Sequence, residues 1–103
     1  MEQVIVTVEQ LKSIESFLSN LKSNTYVESV MILYNQFLPD FVLVRVAETE
    51  IGDNGGVGTK VQYHCFNQQG TKNDCLSEFG KEFYNTVRDF LPINLKSPNV
   101  KIV

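Results

Sequence analysis

The stretch YVESVMILYNQFLPDFVLVRVAE, residues 26–48, decides the fold. Its two halves, Tyr26–Asn35 and Phe41–Glu48, are rich in β-branched and aromatic residues, a composition typical of strands. Pro39 lies between them, and its fixed φ and missing N–H favour a turn. Because the connection is short, we expect the two strands to pair as an antiparallel hairpin.

The first helix is predicted from a capping pattern and an apolar period. Thr7 can cap it, and Gln10, three residues further on, completes a capping box. The helix is expected to end near Lys22, before a run of small polar residues. Apolar residues recur along it at the helical period. They are Leu11, Ile14, Phe17, Leu18 and Leu21.

The second helix is predicted from Asn73 or Asp74, either of which can cap it, to about Leu91. Pro92 is expected to stop it. One continuous apolar stripe runs along this segment at spacings of three and four residues. The stripe consists of Leu76, Phe79, Phe83, Val87 and Phe90.

Three further segments, Gln3–Thr7, Thr59–Asn67 and Val100–Val103, read as strands. The four glycines of Ile51–Gly58 predict a flexible hairpin loop between two of the strands. The element order is therefore β-α-β-β-β-α, with a possible short C-terminal strand. This order predicts a single α+β domain over residues 1–103, with a mostly antiparallel sheet and two amphipathic helices.

Composition excludes several classes of partner. The net charge is −3 and the cations are scattered singly, which argues against nucleic acid, because nucleic-acid binders concentrate positive charge. Tyr63 and Phe66 fall on opposite strand faces, which argues against an RNA-stacking surface. The apolar runs are too short to span a membrane, and no basic-then-apolar leader opens the chain. Two cysteines are too few for a disulfide framework and predict a cytoplasmic location.

The candidate chemical sites lack the spacing that chemistry requires. His64 and Cys65 are adjacent on a predicted strand, so their side chains point to opposite faces. Cys75 could approach His64 as a nucleophile–base pair, but no third member is evident. Two cysteines and one histidine do not form a four-ligand zinc pattern. We therefore expect no catalytic residues, no metal and no cofactor, and predict that the protein is not an enzyme.

The glycine-rich segment Gly52–Gly58 lacks the strand, helix and lysine spacing of a phosphate loop. It is also acidic at its start, and a long exposed loop often contacts a partner. The predicted loop contacts are Glu48, Glu50 and Asp53.

The central strands are apolar on both faces, and this is the main functional clue. Two helices usually cover one face of a four-stranded sheet. Either the chain covers the other face itself, with helices on opposite faces or the tail folded across it, or that face receives a second chain. The predicted interaction surface consists of Val30, Ile32, Tyr34, Phe41, Leu43 and Arg45.

These observations predict a small non-enzymatic protein-binding module, with a protein partner or self-association as a homodimer. Small size and nine asparagines favour a phage or mobile-element accessory protein that modulates or inhibits a host protein in the host cytoplasm. One alternative is a small virion or tail-assembly protein that acts as an oligomer. Another is a protein that binds an anionic ligand such as a nucleotide, with Arg45 or Lys60 meeting the anion.

Overall fold

The computed structural model describes residues 3–74, 78, 80–86 and 89–103. It is an α+β structure with a mostly antiparallel five-stranded sheet and two helices. The elements in chain order are β1 (Val4–Val6), α1 (Val8–Leu21), β2 (Val27–Asn35), β3 (Val42–Ile51), β4 (Val57–Phe66), β5 (Lys72–Asn73), α2 (Gly80–Thr86), β6 (Phe90–Pro92) and β7 (Val100–Ile102).

The predicted hairpin and capping box are both confirmed. β2 and β3 pair antiparallel, and β3 pairs in turn with β4. At the start of α1, Gln10 N–H donates to Thr7 Oγ1 at 3.1 Å, and Thr7 N–H donates to Gln10 Oε1 at 3.0 Å. The buried Gln10 amide also donates to Phe66 O at 3.3 Å. The cap therefore also fixes the helix against the end of β4.

The sheet contains more strands than the sequence predicts, and their order is β5-β4-β3-β2-β6. The two-residue strand β5 pairs with the end of β4 at Cys65 and Phe66. On the other side, β6 pairs with the end of β2. β1 and β7 stay outside this sheet and form a separate parallel pair. Each outer strand of the β2–β4 meander is thus covered at one end by a short neighbour.

The second helix is shorter than predicted, because the chain leaves helical geometry before Phe90. Asp89 has a φ of 74°, which a right-handed helix cannot contain. Phe90 then pairs with Asn35 as part of β6, so its assignment to the helix is wrong. Of the predicted stripe, Leu76, Phe79 and Val87 lie outside the described residues.

The two helices pack against opposite faces of the sheet. Ile14 of α1 lies in a cluster with Val42, Val44 and Val46 of β3. Tyr84 of α2 packs on the other face. The chain therefore covers part of each sheet face with its own helix, which is one of the two arrangements that the sequence allows. The buried residues on the α2 side are Leu33, Leu43, Tyr63 and Cys65.

Candidate functional site

The six residues predicted to form one interaction surface lie on two faces of the sheet. The register places Ile32 opposite Val44 and Leu33 opposite Leu43, so even-numbered residues of β2 share a face with even-numbered residues of β3. The sequence-based grouping is therefore corrected by the register. Val30, Ile32 and Tyr34 belong to the α1 side, and Phe41, Leu43 and Arg45 belong to the α2 side.

Most of these six residues are part of the core. Leu43 is 1% exposed and Tyr34 is 7% exposed. Ile32 and Phe41 are half-buried and pack against the two core clusters. Val30 is the most exposed of the set, at 37%. Neither face of the sheet offers these residues together to a partner.

The predicted acidic loop is the tip of the β3–β4 hairpin. Its turn is closed by Gly52 N–H, which donates to Gly56 O at 2.7 Å. Asp53 and Glu50 are exposed there. Glu48 is half-buried and accepts a hydrogen bond from Asn24 Nδ2 at 3.3 Å. Two of the three predicted loop contacts are thus available to a partner. The tip also exposes the apolar side chains of Ile51 and Val57.

His64 and Cys65 lie on opposite faces, as predicted. The His64 ring packs on Phe17 of α1, with the ring centroids 4.5 Å apart. Among the described residues, its buried Nδ1 atom has no hydrogen-bond partner. Burial, and secondarily the positive charge of Lys72, lower the pKa of His64. Cys75, the other member of the predicted pair, lies outside the described residues.

Cys65 is buried on the α2 side, and desolvation raises the pKa of its thiol to about 11. Because only the thiolate attacks an electrophile, we expect Cys65 to be inert near pH 8. In a Cys75→Ser variant, iodoacetamide should label the folded protein at least about 100-fold more slowly than the urea-unfolded protein. Equal labelling rates in the two states would contradict this burial.

Among the described residues, the longest unpaired strand edge of the sheet is the outer edge of β4. Asn67 N–H donates to Thr71 O at 3.0 Å on the β5 side. Because alternate residues of a strand point their backbone groups to the same side, the outward-pointing residues of β4 include Tyr63, Val61 and Thr59. Within the described part of the chain, no strand pairs with these three residues on that side. We call this segment, residues 57–63, the β4 edge.

The opposite edge of the sheet is better covered. On β2, the outward-pointing Tyr34 pairs with Leu91 of β6. Ile32 O accepts a hydrogen bond from Ile93 N–H at 2.8 Å. Val30 is the next residue in this series, and it is the last before the register irregularity near Val27. Among the described residues, the unpaired part of the β4 edge is therefore longer than the unpaired part of the outer edge of β2.

A groove of about 420 Å³ lies beside the β4 edge. Tyr63 is one of its lining residues, and the Tyr63 ring stacks on the ring of Tyr84 with the centroids 5.4 Å apart. Gly80 packs so closely on Tyr63 that the helix has no room for a side chain there. Both signs of charge surround the groove. Its lining residues are Val61, Gln62, Tyr63, His64, Lys72, Asp74, Glu78 and Lys81.

No protein-family model, curated protein or solved structure matches this chain. Across residues 3–74, 78, 80–86 and 89–103, no cluster of three or more His, Cys, Asp or Glu residues is placed to hold a metal ion. No helix in the described part of the chain has the length and apolar character needed to cross a bilayer.

The sequence-based site did not include the β4 edge or its groove. The signal for the edge is the order of elements: the strand Thr59–Asn67 follows the hairpin and precedes a helix. The last strand of a meander has one neighbour unless a later segment returns to it. The groove has no comparable signal, because Lys72, Glu78 and Lys81 come together only through the packing of α2.

Proposed function

We propose that the protein is a non-enzymatic binding module that recognises another polypeptide by strand addition at the β4 edge. The observation that carries this proposal is the run of outward-facing backbone groups at Thr59, Val61 and Tyr63, which have no strand partner among the described residues. An unpaired strand edge is a template for an extended chain.

Strand addition fits the chemistry of this edge. Main-chain hydrogen bonds supply affinity in this mode, and pockets beside the edge select side chains. The groove between β4 and α2 provides such a pocket, and Tyr63, Lys72 and Glu78 are among the residues that line it. Natural edge strands are commonly shielded by charge or by a covering element. Here one lysine, Lys60, interrupts the exposed part of the strand.

The anionic-ligand alternative gains no support from the geometry. Arg45 pairs with Tyr63 in the register and belongs to the α2 side. Lys60 pairs with Glu48 and, by strand alternation, points to the α1 side. The two cations therefore do not converge on one ligand. A role as a phage or mobile-element modulator of a host protein is compatible with strand addition and rests on composition alone.

The test is a peptide selection against the immobilised full chain, followed by binding measurements on Thr59→Pro. Proline removes an outward N–H that β3 does not use, and edge positions of this kind tolerate it. We expect selected peptides to bind Thr59→Pro at least about tenfold more weakly, because the edge loses a donor and gains a ring.

Thr59→Val is the matched control, since it keeps the backbone N–H at an exposed position, and it should bind like the wild type. Amide shifts on peptide addition should concentrate at residues 57–63. Peptides that bind Thr59→Pro and wild type equally would show that the β4 edge is not the binding site.

A further inference from the structure

We infer that a second copy of this chain occupies the β4 edge, paired antiparallel with Thr59 on the two-fold axis. This inference rests on the proposed function, because it names the strand that is added. It is supported by the position of the two-fold axis, by the register of the paired strands and by the charges of the hairpin tip.

Two other positions of the axis are less favourable. With Val61 on the axis, Val57 of the second copy would lie opposite Cys65, where Asn73 of β5 already pairs. With Lys60 on the axis, the two Lys60 side chains would face each other directly. Like charges in directly opposite positions destabilise a strand pair. Thr59 avoids both conflicts and keeps most of the edge in the pairing.

With Thr59 on the axis, the residues that face each other in the two copies are chemically compatible. Lys60 lies opposite Gly58 of the second copy, and Val57 lies opposite Val61. Val57 is 75% exposed in the single chain, so this apolar pairing removes one of its most exposed side chains from water. The three outward-facing pairs would supply about six backbone hydrogen bonds.

The hairpin tip then reaches the groove of the other copy. Beyond Val57 the second copy turns through Gly52–Gly56, in line with β5 of the first. The tip, which contains the exposed Asp53, then lies against the part of the groove that carries Lys72 and Asp74, and we expect the Asp53 carboxylate to pair with Lys72. The two-fold axis repeats this contact, so the interface contains two such pairs of opposite charge. Glycines in the turn allow its backbone to come close to the groove wall.

The inference is tested by a symmetric cross-link at the axis. Thr59→Cys, in a Cys75→Ser background, should form an intermolecular disulfide under mild oxidation. Opposed residues of a hydrogen-bonded pair have Cα atoms about 5.5 Å apart, which a disulfide spans. Cys65 is buried and should not compete. Ser19→Cys is the matched control, because it is exposed on α1, away from the edge, and it should remain uncross-linked.

A charge exchange tests the register in the same full chain. Asp53→Lys and Lys72→Asp should each raise the dimer dissociation constant about tenfold, because two opposite-charge contacts become like-charge contacts. The double variant should return to within about threefold of the wild type. Sedimentation equilibrium measures all four proteins. Additive losses in the double variant would overturn the proposed register.

The outcomes separate this inference from the proposed function. A wild type that stays monomeric to about 1 mM, with no Thr59→Cys cross-link, overturns the dimer. If selected peptides still bind the β4 edge in that case, the proposed function stands and its partner is another protein. Open polymers whose mass grows with concentration would also overturn the dimer, because a two-fold interface closes. Loss of both dimer and peptide binding would reject the proposed function as well.

Discussion

Leu43→Lys should unfold the protein or leave it barely stable at 25 °C. Leu43 is 1% exposed and packs against Leu33 and Tyr63 on the α2 side of the sheet. A lysine there must bury its charge without a partner or displace α2, and either costs several kcal/mol. A chain of this size has a free energy of unfolding of only about 5–15 kcal/mol. Urea denaturation followed by circular dichroism measures the loss.

Met31→Lys is the matched control for this prediction. Met31 lies opposite Arg45 on the same sheet face as Leu43, but it is 36% exposed. A lysine can extend its stem over the sheet there and keep its ammonium group in water. The new ammonium group faces the Arg45 guanidinium across the strands, so we expect a loss of about 1 kcal/mol, well below that of Leu43→Lys. If both variants unfold at the wild-type urea concentration, Leu43 is accessible and the face is not covered by α2.

Gly70→Ala should destabilise the protein by about 3 kcal/mol, the sum of two separate costs. Gly70 has a φ of 78°, a conformation that L side chains rarely adopt. A Cβ placed there would also lie 2.5 Å from Glu9 O and 2.6 Å from Ser13 Oγ. Since Ser13 Oγ donates to Gly70 O at 2.7 Å, moving the turn away would break its bond to α1.

Gly55→Ala separates these two costs. Gly55 has nearly the same backbone angle, with a φ of 81°, but no atom of the described residues lies within 4 Å of the position that its Cβ would take. It should lose only the conformational part, about 1 kcal/mol. The difference between the two alanine variants in thermal denaturation therefore measures the close contact between the turn and α1. Equal losses of stability in the two variants would mean that the turn at Gly70 can move away from α1 without cost.

Local features of this fold were predictable from the sequence. The capping box depends on Thr7 and Gln10, three residues apart, and the first hairpin depends on two apolar runs around Pro39. Neighbouring residues decide both structures. The bounds of β2, β3 and β4 differ from the predicted ones by at most three residues at either end.

The faces of the sheet were not predictable in the same way. Whether Ile32 shares a face with Val44 or with Leu43 depends on the register, and a shift of one residue exchanges the faces. The turn around Pro39 sets this register, and its length cannot be read from composition. The placement of α2 on the second face depends on distant contacts such as Tyr84 with Tyr63. The sequence therefore predicts an interaction surface on a sheet face, whereas the candidate site in the structure is a sheet edge.

Pro92 explains why the sequence pattern does not predict β6. A proline after an apolar stripe normally ends a helix, so the sequence predicts a helix up to about Leu91. A proline is equally acceptable on an edge strand, at a position where the N–H would point away from the neighbouring strand and is not needed for pairing. In the structure Pro92 lies opposite Leu33 on the outermost strand. The pattern at this position is compatible with both structures, and the positive φ of Asp89 together with the pairing of β6 with β2 shows which one forms.

The parallel pairing of β1 with β7 has a consequence for folding during synthesis. Val4 and Val6 are buried in the same cluster that Val100 packs against, and Val103 N–H donates to Val6 O at 3.0 Å. This cluster joins residues that are far apart in the sequence, from Val4 to Val100. While the chain is still emerging from a ribosome, the meander can form, but the α1-side core cannot close until residue 100 is free. A nascent chain stalled earlier should therefore expose this core to chaperones and proteases.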